Sequence, residues 1–121
     1  MQDDTIGKML HRVENQVRRK MDSIAAGYGI TVGQHVILEY LLQHELQGDI
    51  FQRDIENAFD VRRFSVSSVI CLLEKKGYVR RSGVEADARL KKLSITQEGR
   101  QVYDKVLSQL QAVEQSMSNV L

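Results

Sequence analysis

Apolar residues recur at helical spacing through the first quarter of the chain. Ile6, Leu10, Val13, Val17, Ile24 and Tyr28 stand three, four or seven positions apart, and Met9, Met21 and Ala25 widen the stripe. Arg12, Glu14, Arg18, Arg19 and Lys20 lie off it. This pattern predicts an amphipathic helix over about residues 3–26, stopped by Gly27 and Gly29. Thr31-Val-Gly-Gln34 has the form of a capping box, so a second helix follows through Val36, Ile37, Tyr40 and Leu41 to about Glu45. Gly48-Asp49 then turns the chain, with Asp49 expected to cap a short helix through Phe51, Ile55 and Phe59. A further helix is expected over about 63–76, with Val66, Val69, Ile70 and Leu73 facing inward and Lys75, Lys76 and Gly77 closing it. Tyr78 to Arg81 read as a strand, Ser82 to Ala88 as a turn containing Gly83, and Arg89 to Ile95 as the returning strand. Thr96 caps a last helix whose Val102, Val106, Leu110, Val113, Met117 and Val120 make a nearly coiled-coil seam.

The order is thus long helix, three shorter helices, hairpin, long helix: mainly α with a small β-hairpin, in one domain. A chain without proline can run such helices unbroken. The two terminal stripes exceed what a three-helix core can cover, and exposed apolar stripes of that length point to a subunit interface; the alternative is that they pack only on each other within one chain. Ile6, Leu10, Val13, Val17, Val102, Val106, Leu110, Val113 and Met117 are the residues expected in it.

Composition adds little until charge is mapped along the chain. With 121 residues, 42% hydrophobic and 27% charged, it is a single folded domain's worth rather than a disordered chain. No apolar run approaches a membrane span, and the acidic start lacks the layout of a signal peptide. A lone cysteine cannot form an internal disulfide, so the expected location is cytoplasmic. The formal net charge of +1 hides an asymmetry. Residues 1–60 hold six basic and ten acidic residues, 61–100 hold ten and four, and 101–121 hold one and two, giving −4, +6 and −1. One 40-residue stretch therefore carries the basic charge, a footprint suited to a polyanion.

Enzyme chemistry finds no support. His11, His35 and His44 have no metal-ligand spacing, no His-Glu-x-x-His occurs, and the glycines form neither a phosphate loop nor a Gly-x-Gly-x-x-Gly run. The expectation is no catalytic site, no metal and no cofactor. Cys71, beside the inward stripe of the 63–76 helix, is expected to be a buried or half-buried packing residue.

The informative constellation is the pair of short helices at about 50–59 and 63–76 joined by a tight turn at Asp60-Val61, a helix-turn-helix, with the basic hairpin behind it. The outward positions near the start of the second helix are Arg62, Arg63, Phe64, Ser65, Ser67 and Ser68, without a carboxylate among them. An α-helix fits the major groove of B-DNA, where residues at its N-terminal end reach base edges and phosphates. With Arg81 and Arg89 of the hairpin, these residues form the expected DNA-binding set.

At these residues the chain resembles the MarR-type winged-helix regulators. The resemblance runs through Thr31-Val-Gly-Gln34 with Ile37-Leu-Glu-Tyr-Leu41, then Ser65-Val-Ser67 with Leu72-Leu-Glu-Lys-Lys-Gly-Tyr-Val79. It is most specific at Asp87-Ala-Arg89 with Leu93-Ser-Ile-Thr-Gln-Glu-Gly99, which is similar to the family's wing signature. Ser68 stands where the family often has arginine, and Cys71-Leu72 where polar residues are usual. The resemblance implies a single MarR-like domain over 1–121. Residues 31–96 would form a winged helix-turn-helix, and 1–28 and 97–121 would be dimerisation helices. It also implies a homodimer on double-stranded DNA at a pseudo-palindromic operator, acting as a repressor that a small aromatic or amphipathic ligand relieves. Arg89 would be the wing-tip arginine in the minor groove, oriented by Asp87. The alternative from another class is a winged-helix protein-interaction module without specific DNA binding.

Overall fold

The structure, a computed structural model, describes residues 2–59, 65–84 and 87–120. Among these residues, five helices and a hairpin follow in the order α1 (Gln2–Gly27), α2 (Val32–His44), α3 (Gln52–Ala58), α4 (Val66–Lys75), β1 (Val79–Val84), β2 (Asp87–Ile95) and α5 (Gln97–Val120). This is a mainly α architecture with a two-stranded antiparallel wing.

Local chemistry accounts for most boundaries. α1 ends because Gly29 takes φ +78°, a left-handed conformation that suits glycine. Gly29 N–H then bonds Ala26 O, and Ile30 N–H bonds Ala25 O, the paired bonds of a Schellman motif. α2 begins with the reciprocal cap expected at Thr31: Gln34 N–H donates to Thr31 Oγ1 at 3.1 Å and Thr31 N–H to Gln34 Oε1 at 3.2 Å. α4 closes as α1 does, with Gly77 at φ +81°, Gly77 N–H on Glu74 O and Tyr78 N–H on Leu73 O. At α5, Thr96 Oγ1 accepts Gly99 N–H at 3.0 Å, as its position at the helix start predicts.

The core gathers the apolar face of each shorter element. Ile37, Leu38 and Leu41 of α2, Ile55 of α3, and Ile70 and Leu73 of α4 are fully buried. Val79, Leu93 and Ile95 close the core from the wing, and Val102, Tyr103 and Val106 from α5. The inward face predicted for α4 is the buried one, Val66, Val69, Ile70 and Leu73.

Several expectations need correction. Asp49 does not cap α3. Leu93 N–H instead donates to Ile50 O at 2.7 Å, so the chain is still extended there and forms a bridge on the wing. Phe51 is the last extended residue, and its N–H donates to the Asp54 carboxylate at 2.8 Å. Asp49 lies 3.8 Å from the Lys92 ammonium. α4 starts at Val66 rather than near 63, because Ser65 is extended and acts as its N-cap. The wing strands are longer than expected, since cross-strand bonding overrides the turn propensity of Ser82-Gly83. Val102 and Val106, expected in a subunit seam, are 7% and 0% exposed within a single chain. Their side chains belong to the chain's own core. By contrast Ile6, Met9, Leu10 and Val13 of α1 are 56%, 59%, 59% and 47% exposed. Val17, Leu110 and Val113 are half-buried, and the side chain of Met117 lies outside the described residues.

Candidate nucleic-acid interface

α4 presents two faces. Opposite its buried stripe, Ser67, Ser68, Cys71 and Leu72 are exposed. Ser65, expected as an outward groove-facing residue, is exposed but already bonded: its Oγ accepts Ser68 N–H at 3.3 Å. Ser67 follows on the first turn, where peptide N–H groups without helical partners favour an anion. Arg62, Arg63 and Phe64 lie outside the described residues.

Cys71 is exposed, against the expectation of a packing residue. The seven-residue spacing from Val66 to Leu73 places the buried arc at 66, 69, 70 and 73, which turns position 71 outward toward the wing. There Arg81 Nη2 sits 3.7 Å from Cys71 Sγ, and Arg81 Nε lies 3.4 Å from Glu74 Oε1. Nε makes no hydrogen bond, so the contact with Glu74 is an ion pair with poor alignment. Arg81 thus folds back on α4 rather than standing away from the wing. A partly exposed pair of this kind contributes about 1 kcal/mol or less, a small cost to release toward a phosphate.

The wing pairs Val79 with Ile95, Arg80 with Ser94, Arg81 with Leu93, Ser82 with Lys92 and Gly83 with Lys91. The register then shifts, and Val84 pairs with Asp87. Ala88, Arg89 and Leu90 therefore lie in an irregular segment of β2 next to the hairpin's end. Arg89 and Leu90 are exposed. The side chain of Asp87 lies outside the described residues, so its expected contact with Arg89 is not described. Arg80 and Lys91 are exposed basic residues of the wing absent from the expected DNA-binding set. The charge run alone points to them, and strand alternation brings out Arg80 beside buried Val79.

One cleft lies beside the start of α4 and another between the terminal helices. One, of about 400 Å³, is lined by Asp22, Val32, Gln34, Ser65, Ser68 and Leu72 among others, between the start of α2 and the start of α4. The other, of about 500 Å³, runs between α1 and α5, lined by Val17, Lys20, Ile24 and Val113 among others. Among the described residues no cluster of His, Cys, Asp and Glu suits a metal ion, and no helix is long and apolar enough to cross a membrane.

A buried polar contact joins α2 to α5. His35 is 5% exposed and stacks on Tyr103, with ring centroids 4.5 Å apart and planes at 10°. Its Nε2 lies 3.3 Å from Tyr103 O, so this nitrogen carries the proton that the carbonyl accepts. Burial holds the imidazole below its usual 6.5, a shift partly opposed by the bond to Tyr103 and by the Glu39 carboxylate. Tyr103 OH donates to Glu39 Oε1 at 3.0 Å, and burial followed by this bond pushes the phenol up to about 12.

The His35 shift has a definite sign in stability. Below 6.5 the unfolded chain protonates His35 while the folded chain resists it, so the unfolded state binds more protons. Stability from this group is fully present above pH 6.5 and is lost as the pH falls below it. Urea midpoints between pH 7.5 and 5 should therefore decline more steeply in the wild type than in His35→Gln. Equal slopes in the two proteins would contradict this origin.

The sequence profile of the MarR family matches residues 28–90, just over half of the chain. Among curated proteins, the chain is 28% identical over 88 residues to the HTH-type transcriptional regulator PapX of Escherichia coli, covering 73% of this chain and 53% of PapX. It is 26% identical over 98 residues to the HTH-type transcriptional regulator PrsX of Escherichia coli, covering 81% of this chain and 58% of PrsX. The chain thus spans little more than half the length of these relatives. Its backbone superposes on MepR of Staphylococcus aureus, a transcription regulator of the multidrug efflux pump MepA, with a TM-score of 0.81 at 24% identity, covering 95% of this chain and 83% of MepR. YusO from Bacillus subtilis gives 0.80 at 24% identity over 98% and 82% of the two chains. A MepR mutant bound to an oligodeoxyribonucleotide gives 0.76 at 25% identity over 96% and 83%. The profile match across the helix-turn-helix and into the wing, on a fold shared with these solved structures, shows that the chain belongs to the MarR family.

Proposed function

We propose that this chain is a dimeric, sequence-specific DNA-binding regulator of transcription, acting as a repressor that a small aromatic or amphipathic ligand releases from its operator. The observation that carries the reading is the exposed, carboxylate-free start of α4 at Ser65, Ser67 and Ser68. It follows Arg62 and Arg63 in sequence and is backed by a wing with Arg80, Arg89 and Lys91 exposed. That combination suits a helix in the major groove with a basic strand pair over the adjoining backbone. The related MepR mutant bound to an oligodeoxyribonucleotide supports the same reading. The apolar stripe Ile6, Met9, Leu10 and Val13 supports self-association through α1. The cleft against Ser65 and Ser68 supports a ligand that acts at the start of α4.

Selection from a random duplex pool tests it. In a two-fold dimer the recognition helices meet successive major grooves about 34 Å apart, so the selected site should be a rough palindrome. Affinity should fall with salt, with a log–log slope near −0.9 per neutralised phosphate. Ser67→Ala should alter the preferred half-site at a cost of about 1–3 kcal/mol where a base contact is lost. Arg89→Ala should weaken binding broadly and leave the central preference intact, because a minor groove distinguishes little beyond A·T from G·C and its own width. A consensus that moves with Arg89→Ala and not with Ser67→Ala reverses this division. Binding without any selected sequence, on an acidic protein instead, would favour the interaction module.

A further inference from the structure

Three helix ends meet at one ammonium group. Lys76 is the C-cap of α4, and its Nζ donates both to Gly29 O and to Gln34 Oε1, the latter at 3.1 Å. Gly29 is the left-handed glycine that ends α1. Gln34, 3% exposed, is the residue whose amide oxygen closes the cap of α2. That oxygen therefore accepts from Thr31 N–H and from Lys76, which uses both of its lone pairs. Gly29 and Lys76 belong to two Schellman motifs of the same geometry, so both partners stand on backbone that is already rigid.

The place of this contact gives it a use. α4 is the recognition helix on the reading above, and α1 carries the stripe proposed to meet the partner subunit. Bonds from a charged donor are about twice as strong as neutral ones, and these run from the end of α4 directly to the end of α1. We propose that Lys76 is a positioning residue that sets the angle of the recognition helix against the dimerisation helices, and thereby the half-site spacing that the dimer accepts. Its role is distinct from phosphate attraction, since two of its three ammonium protons are committed to Gly29 O and Gln34 Oε1. The inference rests on the DNA-binding reading, and the experiment separates the two.

The probe is the duplex selected from a random pool by the wild type, together with versions whose two half-sites stand one base pair closer or farther apart. Each step moves a half-site by about 3.4 Å and rotates it around the duplex. The wild type should lose about tenfold or more in affinity at either altered spacing, as for a mismatched position. Lys76→Met should cut that discrimination to about threefold or less while keeping the half-site consensus, because the net tie of a charged hydrogen bond is gone. Lys75→Met removes the same charge from the neighbouring position and should retain the wild-type spacing preference. Gln34→Met, which deletes the oxygen shared by Lys76 and Thr31 N–H, should fall between, whereas Thr31→Val, which weakens the same α2 cap and leaves Lys76 its acceptors, should retain the wild-type preference. Hydrogen exchange provides a readout independent of DNA: amides at 28–31 and 76–78 should exchange faster in Lys76→Met than in Lys75→Met. Unchanged spacing preference in Lys76→Met, or an equal loss in Lys75→Met, overturns the proposal. If Lys76→Met does not fold, Gln34→Met against Thr31→Val decides it by the same comparison. A wild type that selects no two-fold site overturns the DNA-binding reading instead, and equal exchange in the two lysine variants then removes the tie as well.

Discussion

Gly99→Ala will destabilise the protein by about 3 kcal/mol or more and lower its melting temperature by roughly 10 °C. A Cβ at position 99 would stand 2.3 Å from Tyr78 O, 2.8 Å from Ile95 Cγ1 and 3.1 Å from Tyr78 C. The nearest of these atoms is backbone, so no rotamer change relieves the clash. Shifting the first turn of α5 outward does not help either. Tyr78 O accepts Thr96 N–H at 3.0 Å, Thr96 Oγ1 donates to Gly77 O at 2.6 Å, and the same hydroxyl accepts Gly99 N–H. The shift breaks this set and loosens the join of α5 to the short connection between α4 and the wing. A melt monitored by circular dichroism checks the stability. A midpoint within about 2 °C of wild type would mean that α5 moves more freely than its bonding indicates.

The second large effect lies in α1. Leu10→Asp should convert the proposed dimer into a folded monomer. Ile6, Met9, Leu10 and Val13 follow the i, i+3, i+4, i+7 pattern and are each about half exposed in the single chain. In a two-fold interface each such residue counts twice, and full burial of one side chain contributes about 1.5–3 kcal/mol. Aspartate there brings two unpaired carboxylates into the interface, at several kcal/mol, which is more than about a hundredfold in dissociation constant. The protomer itself should hardly notice, since Leu10 makes little of its core and surface changes cost about 0.5 kcal/mol or less. Sedimentation velocity at micromolar concentration should show a dimer for the wild type and a monomer for Leu10→Asp, with equal helix content. A variant that remains dimeric moves the interface away from this stripe. Val106→Asp, by contrast, would unfold the chain, because Val106 is fully buried within one protomer.

The order of elements, the two long terminal helices, the α2 capping box and the inward face of α4 were all legible in the sequence. Each depends on residues a few positions apart, where spacing and capping chemistry act without help from the rest of the chain. The family resemblance was legible for the same reason, through short runs such as Lys75-Lys-Gly-Tyr78 and Thr96 to Gly99. What escaped the sequence depends on contacts between distant segments. Helical periodicity in α5 marks Val102 to Val113 as one stripe, yet α2 covers its first half and leaves the rest half-buried. Ile50 extends rather than turns because Leu93, 43 positions later, offers it a backbone partner. Cys71 was expected to be buried or half-buried and is exposed, since one position along a helix rotates a side chain by about 100° and only packing decides which neighbour wins. The requirement for glycine at position 99 comes from the Tyr78 carbonyl, and the role proposed for Lys76 comes from Gly29 and Gln34. Periodicity reports which side of an element is apolar, but it carries no information about what that side, or a long polar side chain at its end, will meet in three dimensions.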